Sequence, residues 1–289
     1  GVELADIPGT GPRGRVTLRD VELVAAAAGG PADPASNGHD GDREAPAAAP
    51  ATPPGETLEP LSVMRRAVAR RMTQSQLIPQ FSLERDVDAA WLLGEKDRLK
   101  AASRGAAGGP AIGLNDLLLQ AMAEMVLRHP ALAASYVEGG DGEAPRLRRR
   151  DGVDVGLAVA TPRGLLVPVV RGMHERPLAE VAAERARLVG LARSGRLARE
   201  EMGGAALTLS SLASFGVDRF RAMVNPGESC ILAVGRVVDR AVPRGRGIDV
   251  VPSLSLTLTV DHRVADGAEA AAALAELAAL LEGRMTWRP

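Results

Sequence analysis

The sequence predicts a mixed α/β fold, a sheet flanked by helices, preceded by a small partial α-helical module. From residue 58 onward, strand-like alternation and helix-like spacing take turns along the chain. Over this part of the chain no Gly-x-Gly-x-x-Gly loop opens a helix, so a dinucleotide fold is not indicated for it. The core material is also legible: with two Trp, one Tyr and three Phe, it must be packed chiefly with Leu, Val, Ile, Met and Ala.

The elements follow in order. In 1–28, Gly9, Gly11 and Gly14 permit the backbone angles of a tight loop, and Thr17 is placed to cap a short helix running to Ala28. Residues 29–57 are rich in Pro, Ala, Gly and Asp and show no apolar period. They read as a disordered linker, because such a stretch buries too little surface to offset its ordering entropy. Residues 58–289 read as one domain. A helix over 61–72 places Met64, Val68 and Met72 on one face, with Arg65, Arg66, Arg70 and Arg71 around the others. Further helices are expected over 114–128, closed by His129-Pro130, over 177–193, with Pro177 near its first turn, and over 268–281. Strands are expected over 81–87, 153–160, 165–170, 207–210, 229–234 and 254–260.

Composition narrows the function. A net charge of −1 and a pI near 6.5 argue against nucleic acid or an anionic membrane as the main partner. No apolar run approaches the ~18 residues that span a bilayer, and residues 1–28 lack a signal-peptide layout. The single cysteine, Cys230, excludes an intrachain disulfide framework and fits a reducing, cytoplasmic setting. It lies in a strand-like run with no visible means of lowering its pKa, so a nucleophilic role is not expected. The histidines at 39, 129, 174 and 262 are scattered, without metal-ligand spacing.

The chemistry concentrates near the C-terminus. Asp261-His262-Arg263-Val264-Ala265-Asp266-Gly267 follows the alternating run 254–260 and precedes the Ala/Leu-rich helix. His262 is thus expected where a strand gives way to a loop, able to exchange a proton near neutrality. Alone, a His-x-x-x-Asp is usually a solvated ion pair or a satisfied surface histidine.

The full string resembles the signature of the dihydrolipoamide acyltransferases of 2-oxo acid dehydrogenase complexes. Chloramphenicol acetyltransferase and condensation domains carry related strings, but condensation domains have a second histidine where this chain has Asp261. Other stretches resemble the same family in order: 61–72, Ile78-Pro79-Gln80-Phe81, Asn115-Asp116-Leu117, 153–162, 164–170, 207–212 and 225–235. The resemblance implies a chloramphenicol-acetyltransferase-like catalytic domain over 58–289. Residues 1–21 resemble the later part of a peripheral-subunit-binding domain, with Arg13, Arg15 and Arg19 as a basic cluster. That module's first helix and the lipoyl domain are absent, so the chain reads as a fragment of a longer polypeptide.

The resemblance implies transfer of an acyl group from acyl-dihydrolipoamide to coenzyme A, with lipoate carried on the missing lipoyl domain. His262 would be the base, Ser210 the oxyanion donor, and Asp266 would orient the loop, through an arginine such as Arg65. Gly267 would permit the turn into the last helix. Ser211 and Ala213 depart from an asparagine and a glycine common in the family. Implied partners are the decarboxylating 2-oxo acid dehydrogenase and dihydrolipoamide dehydrogenase components, with self-association as trimers or multiples of three. Arg146, Arg148, Arg149 and Arg150 suit either the coenzyme's phosphates or a solvated hairpin. Two rivals are a non-catalytic scaffold of such a complex and an acyltransferase acting on a free small molecule.

Overall fold

In the computed structural model, residues 16–17, 53, 55–105, 111–140 and 142–285 are described. Two compact units divide the chain, Gly1–Glu59 and Pro60–Pro289. Val16 and Thr17 in the first unit are half-buried without regular structure. The expected helix to Ala28, and nearly all of the expected linker, lie outside the described residues.

The second unit opens with α1 (Val63–Gln76), whose N-cap Ser62 accepts a hydrogen bond from the Arg65 amide at 3.2 Å. Then come β1 (Gln80–Asp88), α2 (Ala90–Gly105), α3 (Leu114–Arg128) and the short pair β2 (Ser135–Val137) and β3 (Arg146–Arg148). Next are β4 (Val155–Leu157), β5 (Val159–Thr161), β6 (Gly164–Leu166), β7 (Val169–Val170) and α4 (Leu178–Ser194). The chain finishes with β8 (Leu207–Ser211), β9 (Cys230–Arg244), β10 (Gly247–Asp261) and α5 (Gly267–Leu281).

Six strands form a mixed sheet in the order β1-β10-β9-β8-β4-β7, with β9, β8 and β4 parallel and the other pairs antiparallel. Leu254, Leu256, Leu258 and Val260 on β10 point into the main core, which Leu117, Leu118, Met122 and Met125 of α3 and Leu274, Leu277 and Leu281 of α5 share. Burial on this scale stabilises by roughly 1.5–3 kcal/mol per large side chain. The alternate residues Ser253, Ser255, Thr257 and Thr259 face the other side of β10 and are nevertheless buried. Two of these hydroxyls are paired across the strands: Ser82 meets Thr259 at 2.9 Å, and Ser255 donates to Asp86 at 2.6 Å. The chain at 217–218 crosses this face so closely that a side chain on Gly235 would run into the Asp218 carbonyl.

Asp116 is fully buried at the start of α3. It accepts from the Gly113 amide at 2.7 Å and from Arg185 of α4 at 2.5 and 3.1 Å, tying two helices together.

Two expected strands are each broken in two. The run 153–160 splits at Ala158, because β4 stays in the main sheet while β5 turns away to pair with β6. The run 165–170 splits at Val167-Pro168, where proline has no N–H to give a ladder. Helix α2 and the outer halves of β9 and β10 were not expected. The outer hairpin carries charges instead of apolar alternation, and ion pairs from Arg240 to Asp86 and from Arg244 to Asp88 hold its β9 arm to β1.

Candidate functional site

His262 stands where β10 ends, and three backbone bonds fix that end. The Asp261 amide donates to the Ser229 carbonyl, the His262 amide to the Pro79 carbonyl and the Val264 amide to the Asp261 carbonyl, at 2.8, 2.8 and 2.9 Å. The imidazole is exposed and tilts at 53° against the Phe81 ring, with centroids 4.8 Å apart. Its neighbours make a brace. Asp261, only 2% exposed, receives both arms of the Arg263 guanidinium at 3.0 and 2.8 Å. That guanidinium lies 4.0 Å from the centre of the Tyr136 ring, a cation–π contact. Pairing with Asp261 raises the Arg263 pKa further above its ordinary value.

Asp266 does not meet Arg65. In the single chain Arg65 is exposed on α1 and no ion pair joins the two among the described residues. Asp266 is satisfied locally: it N-caps α5, accepting from the Ala268 and Glu269 amides at 2.8 and 2.9 Å, while Glu269 reaches back to its amide at 3.0 Å. Gly267 is the first residue of that helix, outside the glycines with positive φ, and a Cβ there would meet nothing within 4 Å. The turn therefore needs no glycine.

Ser210 is half-buried near the end of β8. Ala213 begins a 3₁₀ turn, Ala213–Phe215, and it is Gly216 that takes the left-handed angle, φ 76°, so alanine is unstrained where the family often has glycine. The register keeps Ser210 and His262 apart. Leu207, Cys230 and Val260 lie abreast on β8, β9 and β10. Ser210 is three residues from that line in one direction and His262 two in the other. At ~3.3 Å per residue and ~4.8 Å per strand, the two are roughly 19 Å apart within one chain.

Between these strands lies a cluster that the sequence reading missed. Glu228, 8% exposed, accepts from Thr208 at 2.6 Å, and Asn225 donates to both Thr208 and Glu228 at 3.1 Å. Burial pushes the Glu228 carboxyl up to about 7, against the lowering pull of those two hydrogen bonds. Beside it Cys230 is fully buried, its thiol pushed up to about 12 by burial.

The other candidates are already occupied. His129 pairs with Glu276 at 2.8 Å, and His174 accepts from the Val153 amide at 3.2 Å; His39 lies outside the described residues. Arg146 pairs with Glu143, and Arg150 donates to the Ala133 and Gly227 carbonyls at 3.2 and 3.4 Å, so both of these arginines already have partners within the chain. A cleft of about 460 Å³ is lined by Asp88, Trp91, Arg244 and Glu282 among others, and another of about 300 Å³ lies beside Leu83 and Leu274. Neither includes His262 or Ser210.

Residues 53–287 match the family of 2-oxoacid dehydrogenase acyltransferase catalytic domains. The chain belongs to that acyltransferase family. Residues 1–22 match a second family, the E3 binding domain. Among relatives of this chain, the acetyltransferase component of the Schizosaccharomyces pombe pyruvate dehydrogenase complex is 35% identical over 97% of this chain and 57% of its own length. The lipoamide acyltransferase component of the branched-chain complex of Pseudomonas aeruginosa is 33% identical over 98% of this chain and 63% of its own. The chain thus spans about three-fifths of these relatives. Of solved structures, Azotobacter vinelandii dihydrolipoamide acetyltransferase matches with a TM-score of 0.73 and 33% identity, covering 79% of this chain and 92% of that one.

Proposed function

We propose that this domain transfers an acyl group from acyl-dihydrolipoamide to coenzyme A as part of a 2-oxo acid dehydrogenase complex. One observation carries the reading. In the Azotobacter acetyltransferase the residues studied for the mechanism are a serine, a histidine 52 positions later and an asparagine four beyond it. Ser210, His262 and Asp266 repeat that spacing, with aspartate as the third member.

The chemistry is exchange of one thiol for another at a thioester carbonyl. His262 accepts the proton of the coenzyme A thiol as its sulfur bonds to the carbonyl carbon, and returns it to the dihydrolipoyl sulfur as that carbon–sulfur bond breaks. General acid–base help of this kind is worth about 10²–10⁴ in rate. Ser210 donates a hydrogen bond to the carbonyl oxygen as it becomes an oxyanion, worth roughly 10²–10³. Asp266 holds the start of α5 and so the turn that carries His262. The groups suit the substrates: an exposed imidazole at a braced strand end, and a hydroxyl on a half-buried strand.

The ~19 Å between Ser210 and His262 favours a site shared by neighbouring copies, each giving its serine to one and its histidine to another. A trimer or a multiple of three does this, and the likeness to the cubic core of a pyruvate dehydrogenase complex, 34% identical with a TM-score of 0.73, supports the same arrangement. The match at 1–22 supports docking of the dihydrolipoamide dehydrogenase component, and the complex as a whole brings in the decarboxylating dehydrogenase. Retention of Ser210 and His262 favours catalysis over a scaffold. The test is an assay of coenzyme A with acetyl-, succinyl- and branched-chain acyl-dihydrolipoamides. Transfer from one of them is expected; absence of transfer from all would remove the reading.

A further inference from the structure

Glu228 is a buried carboxyl for which the transfer chemistry has no direct use. It faces Thr208 from β8 and Asn225 from the preceding turn, while the charges of Arg71 on α1 and Arg150 beyond β3 act on it from farther off. The next residue links the same strands through its backbone: the Ser229 amide donates to the Ala206 carbonyl, and the Ser229 carbonyl accepts from the Asp261 amide at 2.8 Å. A path of hydrogen bonds therefore runs from the middle of β8 through Glu228-Ser229 to the residue that carries His262.

We propose that Glu228 is a positioning residue for acyl transfer, a buried clamp that holds the end of β10, and with it His262, in fixed relation to β8. The inference rests on the acyl-transfer reading. Ionised, the carboxylate accepts from Thr208 and Asn225 together, and all three groups are satisfied. Protonated, it must turn its own O–H toward one of two donors, so one bond reverses or is lost. The clamp is tightest when Glu228 is charged, although burial makes that form costly. Since a sub-ångström drift of a catalytic base lowers turnover before it lowers affinity, the clamp acts on kcat and not on KM.

The test compares Glu228→Gln, which fixes the uncharged form, with wild type across pH 6 to 8.5, using the full chain. Wild-type kcat should exceed that of the variant by roughly tenfold at pH 8.5, with the ratio falling toward one at pH 6 and KM for coenzyme A within about twofold. Thr208→Val removes a donor that lowers the carboxyl pKa, so the Glu228-dependent limb should move to higher pH. A ratio that is constant with pH, or a change confined to KM, overturns the proposal. If Glu228→Gln does not fold, Thr208→Val decides: an unmoved limb overturns it. An infrared titration of the wild-type carboxyl against the Thr208→Val variant is independent of turnover, so the clamp fails there if the midpoint does not rise. A wild-type chain with no transfer at all would instead remove the functional reading.

Discussion

Arg263 closes on Asp261 with two parallel hydrogen bonds, and the aspartate so held is the residue immediately before His262. The planar fork matches the carboxylate at two points, while its face rests on Tyr136 from the β2–β3 pair. One side chain thus fastens the histidine's turn to a separate small sheet.

Replacing Arg263 should therefore act on stability and on turnover together. Arg263→Met leaves Asp261 buried without a counter-charge and should cost about 2–4 kcal/mol, at the low end for buried pairs because Arg263 keeps a solvent-facing edge. Arg263→Lys should recover only part, since an ammonium offers neither the fork nor the flat face. Urea unfolding of both variants measures this; a lysine variant as stable as wild type would show that the two-point geometry is unimportant.

The separation of Ser210 and His262 makes a complementation experiment decisive. Ser210→Ala and His262→Ala chains, each inactive as a pure assembly, should regain activity when co-assembled, because some interfaces then pair an intact serine with an intact histidine. Random mixing in a closed ring restores up to about a quarter of the sites. Should the mixed assembly be no more active than the parents, the site lies within one chain and the distance argument fails.

Asp116 carries a prediction far from any substrate. Asp116→Ala strands the Arg185 guanidinium at the α3–α4 contact and frees the Gly113 amide, so a loss of about 3–5 kcal/mol is expected. Asp116→Asn should lose less, as it still accepts from the Gly113 amide. Denaturant midpoints at constant slope read this directly, and an alanine variant within 1 kcal/mol of wild type, roughly the scale of a single hydrogen bond, would contradict it.

Glu228 predicts how stability changes with pH. Its carboxyl is raised in the folded chain, from an ordinary 4.5 to about 7. The folded state then binds the proton more tightly than the unfolded one. The stability from this group is complete below pH 4.5 and is lost as pH rises through about 7, a total of about 3 kcal/mol. Glu228→Gln should flatten the profile between those limits. Melting curves of both proteins at pH 5 and pH 8 check the sign; a variant that keeps the wild-type pH slope would assign the titration elsewhere.

How much of this was legible depended on how local each signal is. The inner half of β10 could be read because Leu254, Leu256, Leu258 and Val260 alternate with hydroxyl residues, and α5 because it is rich in Ala and Leu, with Leu274, Leu277, Leu280 and Leu281 on its buried face. The capping role of Asp266 was written in the sequence too, as Asp266 followed three residues later by Glu269, but its place in a catalytic-looking string drew attention to a distant arginine instead. Glu228 had no local signal. Its partner Thr208 is twenty residues away, and only the parallel pairing of β8 and β9 brings them together. The outer β9–β10 hairpin was hidden for a related reason: Arg240 and Arg244 look like a solvated stretch until Asp86 and Asp88 of β1 arrive opposite them.

Cys230 gives the molecule a practical property. It is the only sulfhydryl in the chain, and it is sealed in the sheet with its ionisation pushed far above neutrality. Maleimides and similar electrophiles require an accessible thiolate, so the native fold should be nearly silent toward them. A cysteine introduced on the surface would then be the sole reactive handle. A fluorophore or spin label placed on the outer hairpin or beside Phe215 would report on one defined position, without first deleting the natural residue.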